Sequence, residues 1–404
     1  MLKLRRAVVV EADSSELAGE DASGSGERSE RLEQRLRIEL LGAGGRAAGD
    51  ASAASATDAS RVRPAIADLA LVGRAEAGDE VIVNVQALDL GLGSGGFDIV
   101  HANLTRGLAG GDPCGANVMK LNYTSLQHVV APVEDGRPQL PLRRPVAVLA
   151  LHGQLAAVTW AFAQAAPGAR LGYVQTEGGA LPGSHSQTVR ALRERGLLAG
   201  HLTAGAAFGG EREAITTAGA LHHGLRAPGW DAAVCGPGPG IVGSSSALGH
   251  GGMQALDSAH VALALGCRTL VVARMSSGDE RARHRGISHH TLTVLDLLLE
   301  PVTVALPKGK RTPPPRDAER SDRIARHDWR RARVDLPGFA ACGLPAATMG
   351  RGLTEDPLFF AAALAGGAAL AEALARPPDD ERAGRAHDRQ LQEGAPAPEA
   401  KLQG

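Results

Sequence analysis

Cysteine is sparse in this chain, and the cysteines lie far apart in the sequence. The four, at positions 114, 235, 267 and 342, form no C-x-x-C pair, which excludes a structural zinc site built on cysteine and a disulfide framework and leaves reduced thiols as the reading. A basic excess is also missing: 43 Lys and Arg stand against 44 Asp and Glu, for a formal charge of -1. Nucleic acid and anionic membrane both favour strongly basic chains and are not expected partners. Behind Lys3, Arg5 and Arg6 the apolar stretch spans only residues 7–10 before Glu11 and Asp13. That is shorter than the apolar region of a secretion signal, so a cytoplasmic location is expected. The longest apolar run, 358–375, is mostly Ala and Gly and contains Glu372. Such a segment inserts poorly into lipid and reads as a packed terminal helix, whose apolar surface could also serve a homo-oligomer.

What is present is length and pattern. A chain of 404 residues is long enough for two domains and a core that needs no staples. Arginine outnumbers lysine and Ala and Gly are heavily used, a bias of GC-rich coding that carries no functional weight. Up to about residue 135, short β-prone runs at 6–12, 35–41, 67–72, 81–85 and 97–104 alternate with turn residues, which predicts a small β barrel or sandwich. Within it, residues 42–60 are almost wholly Ala, Gly, Ser and Asp and read as a mobile loop. After a Pro- and charge-rich passage at 132–145 the pattern changes. Apolar runs at 146–151, 171–175, 202–206, 232–235, 269–273 and 302–306 alternate with helix-length segments, which predicts a doubly wound, mostly parallel α/β domain over 143–306. Residues 307–335 are basic and Pro-rich and read as an exposed excursion. The segment 336–376 is expected to pack on the α/β domain through a helix that has Asp356 at its N-cap and Pro357 at its first position. The charged tail 377–404 reads as disordered.

In an open parallel sheet, ligands bind outside the carboxyl ends of the strands, so the loops after each strand carry the functional signal. They hold His152-Gly153, Glu177-Gly178-Gly179, Gly209-Gly210, Gly238, Gly240, Gly243 and Ser245, and then Arg283-His284-Arg285-Gly286-Ile287-Ser288-His289-His290. Glycine amides and helix N-termini favour an anionic group, so Gly178, Gly179, Gly209, Gly210, Gly238, Gly240, Gly243 and Ser245 are candidates for an anion cradle. Arg285 is a charge clamp for the same ligand. The competing reading is that βα turns use glycine for close packing. Ser288 as N-cap places His289 and His290 in the first turn of a helix running to residue 299, where the dipole keeps both rings neutral. Adjacent helical residues point about 100° apart, so one ring is expected to serve the site and the other to pack. His284, His152 and Glu177 are expected to join them as proton-transfer groups, and His284, His289 and Glu177 could hold a divalent metal, although no H-x-x-x-H spacing is present.

Two known patterns are incomplete. Gly238, Gly240 and Gly243 satisfy G-x-G-x-x-G after a strand, with Arg274 placed to meet a 2′-phosphate, but Pro237 and Pro239 remove amide donors and the next helix starts only near Met253. NAD(P) is therefore not expected. Ser245 followed by Asp279 and then His284 or His289 gives the residue order of a nucleophile-elbow hydrolase, yet Ser245 lies about ten residues beyond its strand, away from the tight turn that mechanism requires.

Five strings carry a resemblance: Leu90-Gly91-Leu92-Gly93, Met119-Lys120-Leu121-Asn122-Tyr123-Thr124, Thr176 to Pro182, Arg283 to Thr293, and Thr348-Met349-Gly350-Arg351-Gly352. Through them the chain, from near its start to about residue 375, resembles an uncharacterised bacterial family, the domain of unknown function 3866. The resemblance implies no assigned activity. It draws attention to Arg351, flanked by glycines before a helix, as a second charge clamp. The expectation is an enzyme acting on a small anionic metabolite, with a metabolite-sensing or partner-binding protein as the alternative and a serine hydrolase as a lesser one.

Overall fold

The computed structural model of the chain describes residues 2–13, 33–42, 61–91, 96–106, 116–179, 182–309 and 318–376. The loop expected at 42–60, except its first residue, residues 310–317 of the basic stretch and the tail 377–404 lie outside the described residues.

Strands β1 (Leu4–Ala12), β2 (Glu33–Leu40), β3 (Val62–Asp68), β4 (Glu80–Asn84) and β5 (Asp98–Asn103) close into a barrel in the order β1-β2-β3-β5-β4. Alternate side chains, Ala7 and Val9, Leu36 and Ile38, Val81 and Val83, are buried inside it. The two-residue period of the sequence thus fills a small core, and closure leaves no free edge. The run at 67–72 is not one strand. The Asp68 carboxylate accepts hydrogen bonds from the Ala70 and Leu71 amides and so caps a helical turn, α1 (Leu69–Val72), directly after β3. A second short helix, α2 (Gln86–Asp89), follows β4. The hairpin of β6 (Val118–Lys120) and β7 (His128–Val130) then docks on the second domain. There Lys120 Nζ donates to the Ala207 carbonyl and the Glu213 carboxylate, both at 2.7 Å.

The second domain is an eight-stranded, wholly parallel sheet. Its strands are β8 (Pro145–Val148), β9 (Leu171–Thr176), β10 (Gly200–Thr203), β11 (Arg212–Glu213), β12 (Ala232–Pro237) and β13 (Arg268–Val272). After a two-residue ribbon pairing β14 (Met275–Ser276) with β15 (Gly286–Ile287) come β16 (Thr303–Pro307) and β17 (Asp328–Ala332). The spatial order is β11-β10-β9-β12-β8-β13-β16-β17. Every residue of β8, β9 and β12 is buried, as strands covered on both faces require. Helices α3 (Leu155–Ala165) and α4 (Gln187–Glu194) lie on one face. The other carries α5 (Thr217–Arg226), α6 (Gln254–Ala264), α7 (His289–Leu297) and α8 (Ala318–Ala325), and α9 (Leu336–Ala341) and α10 (Pro357–Ala375) return to the first. The fold class read from the sequence is the one observed.

The stretch read as a basic excursion contributes more than a loop. It supplies α8 and the edge strand β17, whose Asp328, Arg330 and Arg331 disguise it as surface. The apolar run at 358–375 is α10, the one described helix long and apolar enough to cross a membrane, and two thirds of it is buried inside the fold. Its small residues explain the closeness of its packing. A Cβ on Gly367 would collide with the Val158 carbonyl oxygen of α3, and one on Gly366 would stand 2.8 Å from Val272 of β13. On the opposite face the Trp230 ring lies where side chains at Gly172 and Gly200 would be.

Candidate functional site

Strand β8 lies between β12 and β13. The chain leaves β8 toward the α3 face but leaves β12 and β13 toward the opposite face, so the sheet's switch in winding falls here, the position at which open α/β sheets bind their ligands. Residues from three connections meet at this point. The end of β13 is stitched to the start of α7, since the Arg274 amide donates to Thr291 Oγ1 at 2.9 Å and the Ser288 amide to the Arg274 carbonyl at 2.9 Å. Ser288 caps the helix, accepting from the His290 amide, and its hydroxyl also lies 2.8 Å from Nδ1 of His284. From the β12–α6 loop, a bridge between Gly243 and His250 delivers the His250 ring.

Four imidazoles are thereby gathered. The rings of His250 and His290 stack with centroids 3.3 Å apart at 18°. His289 lies 4.2 Å from His290 and 4.9 Å from His284, and His284 lies 4.8 Å from His290. His289 and His290 thus share one site, contrary to the expectation from helical periodicity. The cluster sits at the end of α7, where two successive residues can both reach a point near the axis, and not alongside it. Burial above all pushes the pKa of His250 down to about 4, of His284 to about 3 and of His290 to about 2, with neighbouring histidines and Arg274 adding to the fall. All three are neutral at physiological pH. His250 is 8% exposed, and the Ala247 backbone opposes its pKa fall.

Beside the rings lies a knot of charge. Arg274, 3% exposed, places Nη1 2.8 Å from His290 Nδ1, while Nη2 lies 3.6 Å from the Asp279 carboxylate and 3.6 Å from Met349 Sδ. Burial pushes its pKa down to about 10, so it stays a cation near neutrality. Asp279 also accepts from Arg281 at 2.8 Å and Arg351 at 3.1 Å. Chiefly the Arg281 bond holds its carboxyl well below the usual range. Arg351 is presented by the hairpin of β18 (Ala347–Thr348) and β19 (Arg351–Gly352), whose turn residues Met349 and Gly350 have φ of 49° and 75°, the two positive values of a type I′ turn. Asp356, fully buried, stands at the N-cap position of α10, but its side chain makes no cap bond. It accepts instead from Ser276 Oγ at 2.5 Å and the Ser277 amide at 2.8 Å and faces Arg351 at 3.4 Å.

Other expected participants are placed elsewhere. His152 engages both ring nitrogens outside the cluster, with Ser186 Oγ at 2.7 Å and Tyr173 Oη at 3.3 Å. Glu177 is exposed and accepts from Gln254 Nε2 at 2.9 Å. Among the described residues the set able to converge on a metal is His284, His289 and His290, with ligand atoms within 4.8 Å of one another; Glu177 is not in it. The glycines serve close packing and internal bonding. Side chains at Gly178 and Gly179 would strike the Gly251 and Gly238 carbonyls, and one at Gly238 would strike Gln175. The amides of Gly209 and Gly210 donate to Glu213 and to Thr203 Oγ1. Gly240, at φ 79°, and Gly243 shape the loop that leads to His250. Ser245 is exposed on that loop, His284 bonds Ser288, and Asp279 is taken up by arginines, so the hydrolase order assembles no triad. Arg285 holds the Asp279 backbone carbonyl through Nε at 2.9 Å. His250 and Arg274 were not among the expected site residues. The signal for His250 was its place in Gly249-His250-Gly251-Gly252, just before a helix at the same sheet edge.

A family model described as "Protein of unknown function (DUF3866)" matches residues 64–367. No curated protein and no solved structure matches the chain.

Proposed function

The chain belongs to the proteins of unknown function DUF3866, and from that membership, which assigns no activity, we propose that it is an enzyme acting on a small anionic metabolite held over the carboxyl ends of β8, β12 and β13. The observation that carries this reading is the buried guanidinium of Arg274 against the neutral imidazole of His290. Around it, the cations Arg274, Arg281 and Arg351 stand against the anions Asp279 and Asp356, which leaves a positive excess beside uncharged rings. A phosphate or carboxylate gains from that field, and a neutral imidazole can offer it an N–H hydrogen bond while its other nitrogen is in the form that accepts a proton. The glycine amides first expected to cradle the anion support packing, so the anion's partners are the arginines and the imidazoles.

A second reading is favoured by one observation, the convergence of His284, His289 and His290. Three imidazoles are a familiar set for a divalent transition metal. The charge balance argues against it, because two unit charges about 4 Å apart interact by about 4 kcal/mol at an effective dielectric of about 20, and a dication here would face Arg274.

Calorimetric titration of the 404-residue chain with inorganic phosphate and a panel of phosphorylated and carboxylated metabolites tests the proposal, alongside elemental analysis of protein purified without added metal. The reading expects saturable binding that His289→Ala weakens at least tenfold with the melting temperature nearly unchanged. Binding unaffected by that substitution, or a stoichiometric transition metal on histidine with no anion affinity, would overturn it.

A further inference from the structure

Resting on that reading of the cluster, we propose that Arg274 is a positioning residue which fixes His290 as the tautomer protonated on Nε2, so that His290 presents an N–H donor to a bound anion. A guanidinium has five donors and no acceptor. With Nη1 2.8 Å from Nδ1, the ring nitrogen must accept. A neutral imidazole that accepts at Nδ1 carries its proton on Nε2, and the other tautomer would set N–H against N–H.

Neither partner is free to turn away. The His290 ring is stacked on His250 at 3.3 Å, and its backbone amide is held by the Ser288 hydroxyl. Arg274 is fixed at its backbone by Thr291 and Ser288 and at its head by Asp279 and Met349. His284 differs in kind. Its Nδ1 partner is the Ser288 hydroxyl, which both donates and accepts, so its tautomer can change. The cluster therefore combines a permanent donor, His290, with an adaptable ring able to exchange a proton.

This arrangement narrows the ligand class. Arginine heads and a fixed N–H are all donors, so the group that meets them must offer acceptors, as a phosphoryl or carboxylate oxygen does and an ammonium does not. It also removes His290 Nε2 from a metal's shell, because that nitrogen has no lone pair to give.

Long-range 15N–1H correlation spectra of the 404-residue protein with 15N-labelled histidine, recorded near neutral pH, read the tautomer directly, with His290 assigned through His290→Gln. The wild type should show His290 protonated on Nε2 alone. Arg274→Met should convert it to a mixture of tautomers and weaken inorganic phosphate binding at least tenfold, and Arg274→Lys, which keeps a cationic donor, should restore the Nε2–H form. Unchanged signals of His152 and of His201, a buried residue of β10, would show that each variant is folded, and the wild-type spectrum decides the question if neither variant is. A wild-type His290 protonated on Nδ1 or present as a mixture, or an Arg274→Met variant that keeps the wild-type tautomer, would overturn the assignment. An Nε2–H tautomer in a protein whose His290 signals do not respond to phosphate would uphold the role of Arg274 and count against the anion site instead.

Discussion

Asp279 shows how much of this site depends on single side chains. It is almost fully buried and faces Arg274, Arg281 and Arg351, so removing its charge leaves three guanidiniums with too little compensation in a partly dry setting. Asp279→Asn should cost on the order of 3–5 kcal/mol, read by urea denaturation at neutral pH, and a loss below about 1 kcal/mol would contradict the role given to this carboxylate. The sign with pH follows from its lowered pKa: its contribution is present above the ordinary carboxylate range and is lost as the pH falls through and below it. Among residues, the sequence revealed His284, His289 and His290 because they stand together after a strand. Their partners were harder to see. Arg274 could be read only against a dinucleotide pattern that the loop does not complete, and Asp356 occupies a capping position while its side chain serves the loop at 276–278. Glycines mislead in the opposite direction, since the residues that let Gly178 approach Gly251 look in sequence like those that open a backbone to a ligand.

Among elements, α10 has the least ambiguous physical basis. Its Ala and Gly residues let the backbone approach α3 until no side chain fits at Gly367. Gly367→Ala should destabilise by about 1–3 kcal/mol through overpacking, despite alanine's better helix propensity; thermal denaturation would show it, and a stabilised variant would mean the two helices are not so close. The parallel strands were legible because buried strands are apolar throughout. The edge strand β17 was not, since no described strand pairs with its outer side and its charges guard against pairing with another chain. The shared site of His289 and His290 was hidden for another reason. Periodicity describes which residues share a helix's side, and this site lies at the helix's end.

For the whole molecule, the winding of the sheet determines which loops meet, and burial determines how the molecule answers acid. Burial pushes His152 down to about 4 and His201 to about 3, while an unfolded histidine protonates near pH 6.5. The unfolded chain therefore binds more protons between these values, so stability is complete above about pH 6.5 and falls as the pH drops toward 4. Asp98, pushed up to about 6 by burial, works in the opposite sense over part of that window but is one group against several. Stability by denaturant titration should be lower at pH 5 than at pH 7 by at least about 1 kcal/mol, and a flat profile would contradict the burial of these rings. Binding of an anion where these connections meet above β8, β12 and β13 would be read from the histidine ring resonances as inorganic phosphate and then malonate are added. Saturable shifts are expected at His250, His284, His289 and His290, with His152, His201 and His327, a buried residue just before β17, unmoved; silence at all four under both anions, or shifts confined to His152 and His201, would mean that no anion binds there.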